Sequence, residues 1–554
     1  MKLKLITAIL FTLLLGVFLV SACAPSRERQ SRPSADWSRG VEVSQFGVGS
    51  IGLVTDESGE QVHLVWTSDL GEGAFIQYEQ LDARAVSILS KELELPGPLR
   101  APRLVWAGEE RLHLFWVSRL PGEKNWTIWH TLLDLGGNVV SDISQVSLSE
   151  KNVGNYVVVS DHAGGALATW GSGSPGDVYL SRLGQDGSMV AGPKIIASAG
   201  ESPSIWASVN GDVFLTWLEE GSLVFSRASL DGLELLESTQ VVDLSLGSGD
   251  GLYGPIIGVV DDWAYLFWSI IAQSGLEAGS GSSFYTAFPA DAPAKSPVSR
   301  IWMLPDEKQP YQPYQGSFQL TQLVPPVADA SSTSDYILHP SVMAGNQTDE
   351  LAVAIAMNQK TRLDEHLQIA VAIFADGQFR GYSLATKTDE ISDDPVLYAD
   401  ANHHLHLAWE MGAGGRNIYY ASTTPTVISA LDRLNSGDLI NAILEGSMEG
   451  LVGMALLPVV GFGWMLPGLL IMGIYKLFRD QETLSDPLSW VLLVISILVY
   501  QLVKLATLPT IATYTPFSAW LDLPEWLSTP LRVAVPLIIF AVAVYVANRV
   551  RQRH

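Results

Sequence analysis

The chain is 554 residues long, beyond the usual size of one domain, with 47% hydrophobic and only 16% charged residues. Its 58 acidic against 33 basic side chains give a net charge of −25 at pH 7, which repels polyanions and excludes nucleic acid as a partner. The single cysteine, Cys23, excludes intramolecular disulfides and cysteine-based metal or nucleophile chemistry in the folded domain.

The chain begins with Lys2 and Lys4, an apolar run from Leu5 to Val20, and the small residues Ser21 and Ala22. A basic start, a short apolar core and small residues are the pattern of a signal peptide, expected over residues 1–22. Val20-Ser21-Ala22-Cys23 resembles the bacterial lipobox, which implies cleavage before Cys23 and lipidation of its thiol. Residues 23–40 are polar and proline-containing and are expected to form a flexible tether.

From residue 41 the chain repeats. His63-Leu64-Val65-Trp66 recurs as His113-Leu114-Phe115-Trp116 and as His406-Leu407-Ala408-Trp409, with looser copies ending at Trp170, Trp217 and Trp268. The first five tryptophans are spaced by 50, 54, 47 and 51 residues. A copy without tryptophan, Leu351 to Met357, fills the gap to Trp409, so seven units are expected. About 14 residues upstream of several tryptophans lies a proline followed by apolar residues, as at Pro102, Pro203, Pro255 and Pro395, with Pro340 leading the unit that lacks tryptophan. Downstream comes an aromatic strand such as Ile418-Tyr419-Tyr420, then in several units an Asp-Gly turn such as Asp186-Gly187 or Asp376-Gly377. Four short strands per period predict an all-β seven-bladed propeller over residues 41–425. The last unit lacks a fourth strand and Val41–Phe46 is an orphan strand, so the two are expected to pair and close the ring. Residues 275–335 form an insertion rich in Gly, Pro, Gln and Tyr, a candidate binding loop.

Beyond Pro425 the composition changes. Residues 426–450 mix apolar and acidic residues at helical spacing, the pattern of an amphipathic connector. Residues 451–554 are expected to form a small membrane domain of three helices, spanning about 451–478, 488–508 and 531–548. Lys476 and Arg479 after the first span, and Arg549, Arg551 and Arg553 after the third, place the C-terminus in the cytoplasm and the propeller outside a bacterial cell membrane. Lys504 lies inside the second span, close enough to its end to reach the interface. The 451–554 segment holds seven Lys and Arg against five Asp and Glu, a balance of +2, which leaves −27 of the total −25 to the rest.

Chemistry is sparse. His403, His404 and His406 are a candidate metal cluster, but His406 occupies the same repeat position as His63 and His113, three residues before the tryptophan. That recurrence favours a packing role, and neither a metal centre nor a cofactor is expected. No phosphate-binding glycine loop, zincin helix or nucleophile elbow is present.

The proline-led strand, His-Leu-x-Trp and Ile-x-Tyr-Tyr together resemble the sialidase-like propellers of exported bacterial proteins, over about 385 residues. Their Asp-box finds its nearest approach in Thr67-Ser68-Asp69-Leu70-Gly71 before Phe75, with one residue too many and no tryptophan. Their Arg-Ile-Pro motif has an echo only in Arg100-Ala101-Pro102. The resemblance implies a site with three arginines on one carboxylate, a tyrosine nucleophile with a glutamate, and an acid aspartate. No residue here matches these by motif, so the catalytic residues are unknown. The leading expectation is a non-enzymatic module that binds protein or glycan ligands on the propeller face or the 275–335 insertion, with membrane lipid as its other partner. A divergent sialidase-like glycosidase or lyase, and an accessory subunit of a membrane complex, are the alternatives.

Overall fold

The computed structural model describes residues 34–432, apart from residues 48, 70–73, 121, 245, 248, 275–278, 294–299, 302–310, 327–336, 361–364, 387, 389 and 413–415. It also describes residues 467, 468, 470, 471, 474 and 487–507. The chain divides into two compact units, residues 31–433 and the two ends, 1–30 with 434–554.

The larger unit is all-β and propeller-like. Strand β1 (Val41–Gly47) precedes a first meander of β2 (Gly52–Thr55), β3 (Val62–Asp69), β4 (Ala74–Leu81) and β5 (Ser87–Leu93). The second is β6 (Leu99–Gly108), β7 (Arg111–Ser118), β8 (Thr127–Asp134) and β9 (Ser144–Gln145). The third is β10 (Tyr156–Ser160), β11 (Ala166–Gly171), β12 (Gly176–Leu183) and the start of β13 (Met189–Ala207). At 19 residues β13 serves twice, its second half beginning the fourth meander with β14 (Asp212–Glu219), β15 (Ser222–Ser229) and β16 (Leu235–Asp243). The fifth is β17 (Asp250–Val260), β18 (Trp263–Ala272), β19 (Gly281–Pro289) and β20 (Arg300–Ile301). A hairpin of β21 (Gln312–Pro313) and β22 (Gln322–Leu323) intervenes. The sixth is β23 (Ile337–Val342), β25 (Leu351–Lys360), β26 (Glu365–Ala375) and β27 (Gln378–Leu384), with β24 (Ala344–Gly345) beside its neighbour. The last holds β28 (Ser392–Ala399), β29 (Leu405–Met411) and β30 (Arg416–Ser422). Its fourth strand is β1, which runs antiparallel to β30 with Val41 opposite Tyr420 and Glu42 opposite Tyr419.

Burial explains the repeat. The second strand of each meander is sandwiched on both faces, so it reads as a continuous apolar run rather than an alternation. In β7 seven of eight residues are buried, and in β11 all six are. The repeat tryptophans end these runs: Trp66, Trp116, Trp170, Trp217, Trp268 and Trp409 all have 2% or less of their surface exposed. Their partners on the third strand are often aromatic, as where Trp170 stacks on Tyr179 at 11° between planes and Trp268 on Phe284 at 16°. The outermost strands β5 and β16 are mostly exposed and carry Lys91, Glu92 and Glu237, charges that discourage edge-to-edge pairing. The Asp376-Gly377 turn requires glycine. Gly377 has φ +72, a Cβ there would lie 2.7 Å from the Trp263 ring, and its N–H donates to the Tyr265 hydroxyl of the preceding unit at 2.8 Å.

The end of the expected tether is packed, not free. Ser34 N–H donates to the Leu384 carbonyl at 2.9 Å, Trp37 is 3% exposed, and Ser38 N–H donates to the Ser422 carbonyl at 3.0 Å. The Asp36 carboxylate accepts from the Thr321 N–H (2.9 Å), the Thr321 hydroxyl (2.6 Å) and the Gln322 N–H (3.3 Å). Part of the insertion is thus recruited to structure. Val324 exchanges two backbone hydrogen bonds with Tyr382 of β27, and the Tyr314 hydroxyl bonds to the Glu350 carboxylate. The expected connector begins as a short helix, Pro425–Leu431, whose Val427 is buried.

Of the expected membrane helices, the second coincides with a 21-residue helix, Pro487–Thr507. Among the described residues no helix is long and apolar enough to cross a membrane. The third span lies outside the described residues, as do Cys23 and residues 1–22, and the first is described only at a few positions.

Candidate functional site

The inner strands of all seven meanders line one cavity of about 1560 Å³, from Ile51 and Leu53 of the first to Val396 and Tyr398 of the seventh. Five of these strands share an irregularity. Register shifts fall between Arg100 and Arg103, Glu201 and Ser204, Tyr253 and Ile256, Leu338 and Ser341, and Asp393 and Val396. Each is a bulge around the repeat's proline, and the residue before that proline takes a left-handed conformation: Ala101 (φ +48), Ser202 (φ +50), Gly254 (φ +94), His339 (φ +43) and Asp394 (φ +47). The proline supplies no N–H, so the ladder skips it at little cost, and the kink re-aims the residues in front of it. Bulges of this kind concentrate beside functional sites, and non-glycine residues in this region signal a backbone held by its surroundings.

Two chemically distinct groups stand at the bulges. On the second and third meanders the Arg100 guanidinium lies 3.9 Å over the Trp126 ring, and Arg119 lies 5.2 Å from the same ring. Arg103 lies 6.0 Å from the Tyr156 ring and donates to the Pro102 carbonyl at 2.9 Å. The Tyr156 hydroxyl donates to the Ala101 carbonyl, and burial pushes its pKa well up, so it stays protonated. On the sixth and seventh meanders His339 meets Asp393 and Asp394, and the Tyr253 ring packs edge-on to the imidazole at 5.9 Å.

The repeat histidines do something else. The Tyr78 hydroxyl spends its proton on the Leu135 carbonyl of the next meander at 2.8 Å, so His63 Nδ1, 2.7 Å away, must be the donor to its oxygen. His63 Nε2 is then a bare buried nitrogen without a partner, and desolvation, partly offset by Asp56, lowers the pKa to about 4. His113 Nε2 donates to the Gly164 carbonyl of the third meander at 3.0 Å and its Nδ1 bonds to His130 Nε2 at 2.9 Å. Burial lowers both of these pKa values, that of His130 furthest. His406 bonds to the Tyr420 hydroxyl at 2.7 Å and to Asp400 Oδ2 at 3.4 Å, while His404 Nδ1 lies 3.2 Å from that same oxygen. Burial would raise the Asp400 carboxyl, but the His406 hydrogen bond and the His404 N–H hold it below its ordinary value. These histidines are inter-strand and inter-unit ties. His403, the remaining candidate of that cluster, bonds to Asn346 at 3.3 Å.

The residues that sequence reasoning missed are His339, Asp393 and Asp394. Their only advance signal was the recurrent proline that follows His339 and Asp394. The sialidase-type constellation does not assemble among the described residues. Arg100 and Arg119 are directed at one tryptophan and Arg103 at backbone carbonyls, while the Tyr314–Glu350 pair lies outside the cavity lining.

No family model matches the chain, and no curated protein matches it. Similar solved structures include an ulvan lyase, a polysaccharide lyase, at 7% identity and TM-score 0.42, covering 72% of this chain and 100% of that one. They include the Trypanosoma rangeli sialidase at 8% identity and TM-score 0.34, covering 73% of this chain and 57% of that one. The WD40 domain of SCAP from fission yeast matches at 11% identity and TM-score 0.31, covering 70% and 94%. The class these share with the chain is the propeller-like β fold. At such TM-scores the likeness carries no argument about activity.

Proposed function

We propose that this chain is a membrane-anchored, extracytoplasmic seven-bladed β-propeller that binds protein or glycan ligands at its central cavity without chemical turnover. Ring closure is supported by the β1–β30 ladder and by a cavity to which every blade contributes. Anchoring rests on the lipobox-like Cys23 and the apolar runs after residue 450.

The observation that carries the ligand reading is the Arg100–Trp126–Arg119 cluster beside the bulged inner strands. Two arginines on one tryptophan, in a chain of net charge −25, offer a local positive patch to an anionic ligand, a carboxylated or sulfated sugar or an acidic peptide loop. The test is a glycan array probed with full-length protein in detergent, beside a fluorogenic sialoside assay. Binding of acidic glycans, weakened by roughly 2 kcal/mol in both Arg100→Ala and Trp126→Ala, supports the reading. Turnover lost in the same variants would replace it with the glycosidase alternative. Silence in both assays would leave protein ligands, sought by crosslinking in the membrane.

A further inference from the structure

We propose that His339, Asp393 and Asp394 form a binding site for a divalent transition-metal cation, zinc or manganese, in the wall of the central cavity. His339 Nδ1 lies 2.7 Å from Asp393 Oδ1 and 3.1 Å from Asp394 Oδ1, and all three atoms fall within 4.8 Å of one another. The His339 Nδ1 hydrogen bond goes to Asp393 Oδ1, and Asp394 Oδ1 stands beside it with at most a share of one proton. Two carboxylates drawn to one point repel unless positive charge lies between them. A proton on the imidazole supplies one unit of charge. A divalent ion supplies two and accepts an electron pair from each of the three atoms.

The spacing suits such an ion. Ligands about 2.1 Å from a common metal stand about 3.0 Å apart at the right angles of an octahedral shell and about 3.4 Å apart at zinc's tetrahedral angle, so small side-chain movements from 2.7 and 3.1 Å admit either ion. One imidazole with two carboxylates favours zinc or manganese over calcium or magnesium, which prefer all-oxygen shells. The placement is a product of the fold. His339 and Asp394 are the pre-proline bulge residues of adjacent inner strands, and both line the cavity. The Asp394 N–H donates to Asp393 Oδ1 at 2.9 Å, and the Tyr253 ring at 72° to the imidazole fixes its plane. Side-chain exposures of 36%, 17% and 31% leave the ion a way in and room for water to complete its shell.

The test is calorimetric titration of chelator-treated full-length protein with zinc or manganese chloride at neutral pH, repeated in buffers of different ionisation enthalpy. One saturable site is expected, and any variation of its heat between buffers counts the protons the metal releases. Both His339→Ala and Asp394→Asn should weaken it more than about tenfold. Asp394→Asn keeps the side-chain volume and a carbonyl oxygen, so it reports on the site even where the alanine variant folds poorly. No saturable binding at millimolar metal, equal affinity for calcium, or binding unchanged in Asp394→Asn would each overturn the proposal. The readout uses no glycan, so it stands or falls apart from the ligand reading.

Discussion

Acidification should loosen this protein, and His63 allows the size of the effect to be worked out. Its pKa falls from an ordinary 6.5 to about 4 because burial leaves Nε2 without a partner. In the unfolded chain the same imidazole takes up a proton near 6.5. Between these values the unfolded state binds more protons than the folded one, so stability falls as pH falls through that window. Below about pH 4 both states are protonated and the loss is complete. A shift of this size corresponds to about 3.4 kcal/mol at most, since each pKa unit is worth about 1.4 kcal/mol. His113 and His130 are lowered too and act in the same direction. The diagnostic variant is His63→Gln, which can still bond the Tyr78 hydroxyl but cannot titrate. At pH 7.5 it should be less stable than wild type by about 1 kcal/mol, the worth of an imperfect hydrogen bond. By pH 4.5 its curve should cross above wild type. Urea unfolding of the full-length protein, followed by tryptophan fluorescence across this range, gives both curves. Parallel curves with no change in spacing would refute the assignment of a neutral, proton-excluding His63.

Other perturbations test other parts of the account. Trp116→Ala should destabilise by about 3–5 kcal/mol, because a fully buried indole between two sheets leaves a cavity that its neighbours cannot close; the midpoint of urea unfolding reads this directly. Asp36→Ala removes three hydrogen bonds from the hairpin 312–323 and should cost about 2–3 kcal/mol. Limited proteolysis should then cut that variant near residues 311–324 at concentrations of protease that spare wild type. Cys23→Ser should abolish metabolic labelling by a fatty acid, and labelling that persists would remove lipidation from the proposal.

Much of the architecture could be read from spacing alone, for a physical reason. A strand buried on both faces must be apolar throughout, so the tryptophan runs stand out at a period of about 50 residues. The pairing of Val41 with Tyr420 was likewise foreseeable, because one unit lacked a strand and one strand lacked a unit. Reading His406 as a packing residue through its kinship with His63 and His113 agrees with the buried ties that all three make. The convergence of His339 on Asp393 and Asp394 was not foreseeable. Those residues are 54 positions apart, and what joins them is the sideways contact of neighbouring strands, which leaves no periodic mark. The prolines read in sequence as leading the inner strands, but each lies within its strand. Nothing in their spacing shows the bulge or the left-handed residue before each one. The insertion was legible only in part. Its Pro, Gln and Tyr content suggested a binding loop, and nothing in that content showed that Tyr314 and Thr321 are committed to Glu350 and Asp36.

The pairing of β1 with β30 also sets a timetable for biogenesis. Tyr419 lies 377 residues after its partner Glu42. A ribosome adding about 5–20 residues each second needs roughly 20–75 s to deliver the second strand after the first. Throughout that interval β1 is synthesised, available and without its mate, and every intermediate carries an open edge. Completion of the sheet therefore waits on the end of translation of the whole β region, whatever the early units have done. A cell making this chain must keep its leading strand from the wrong partner for about a minute.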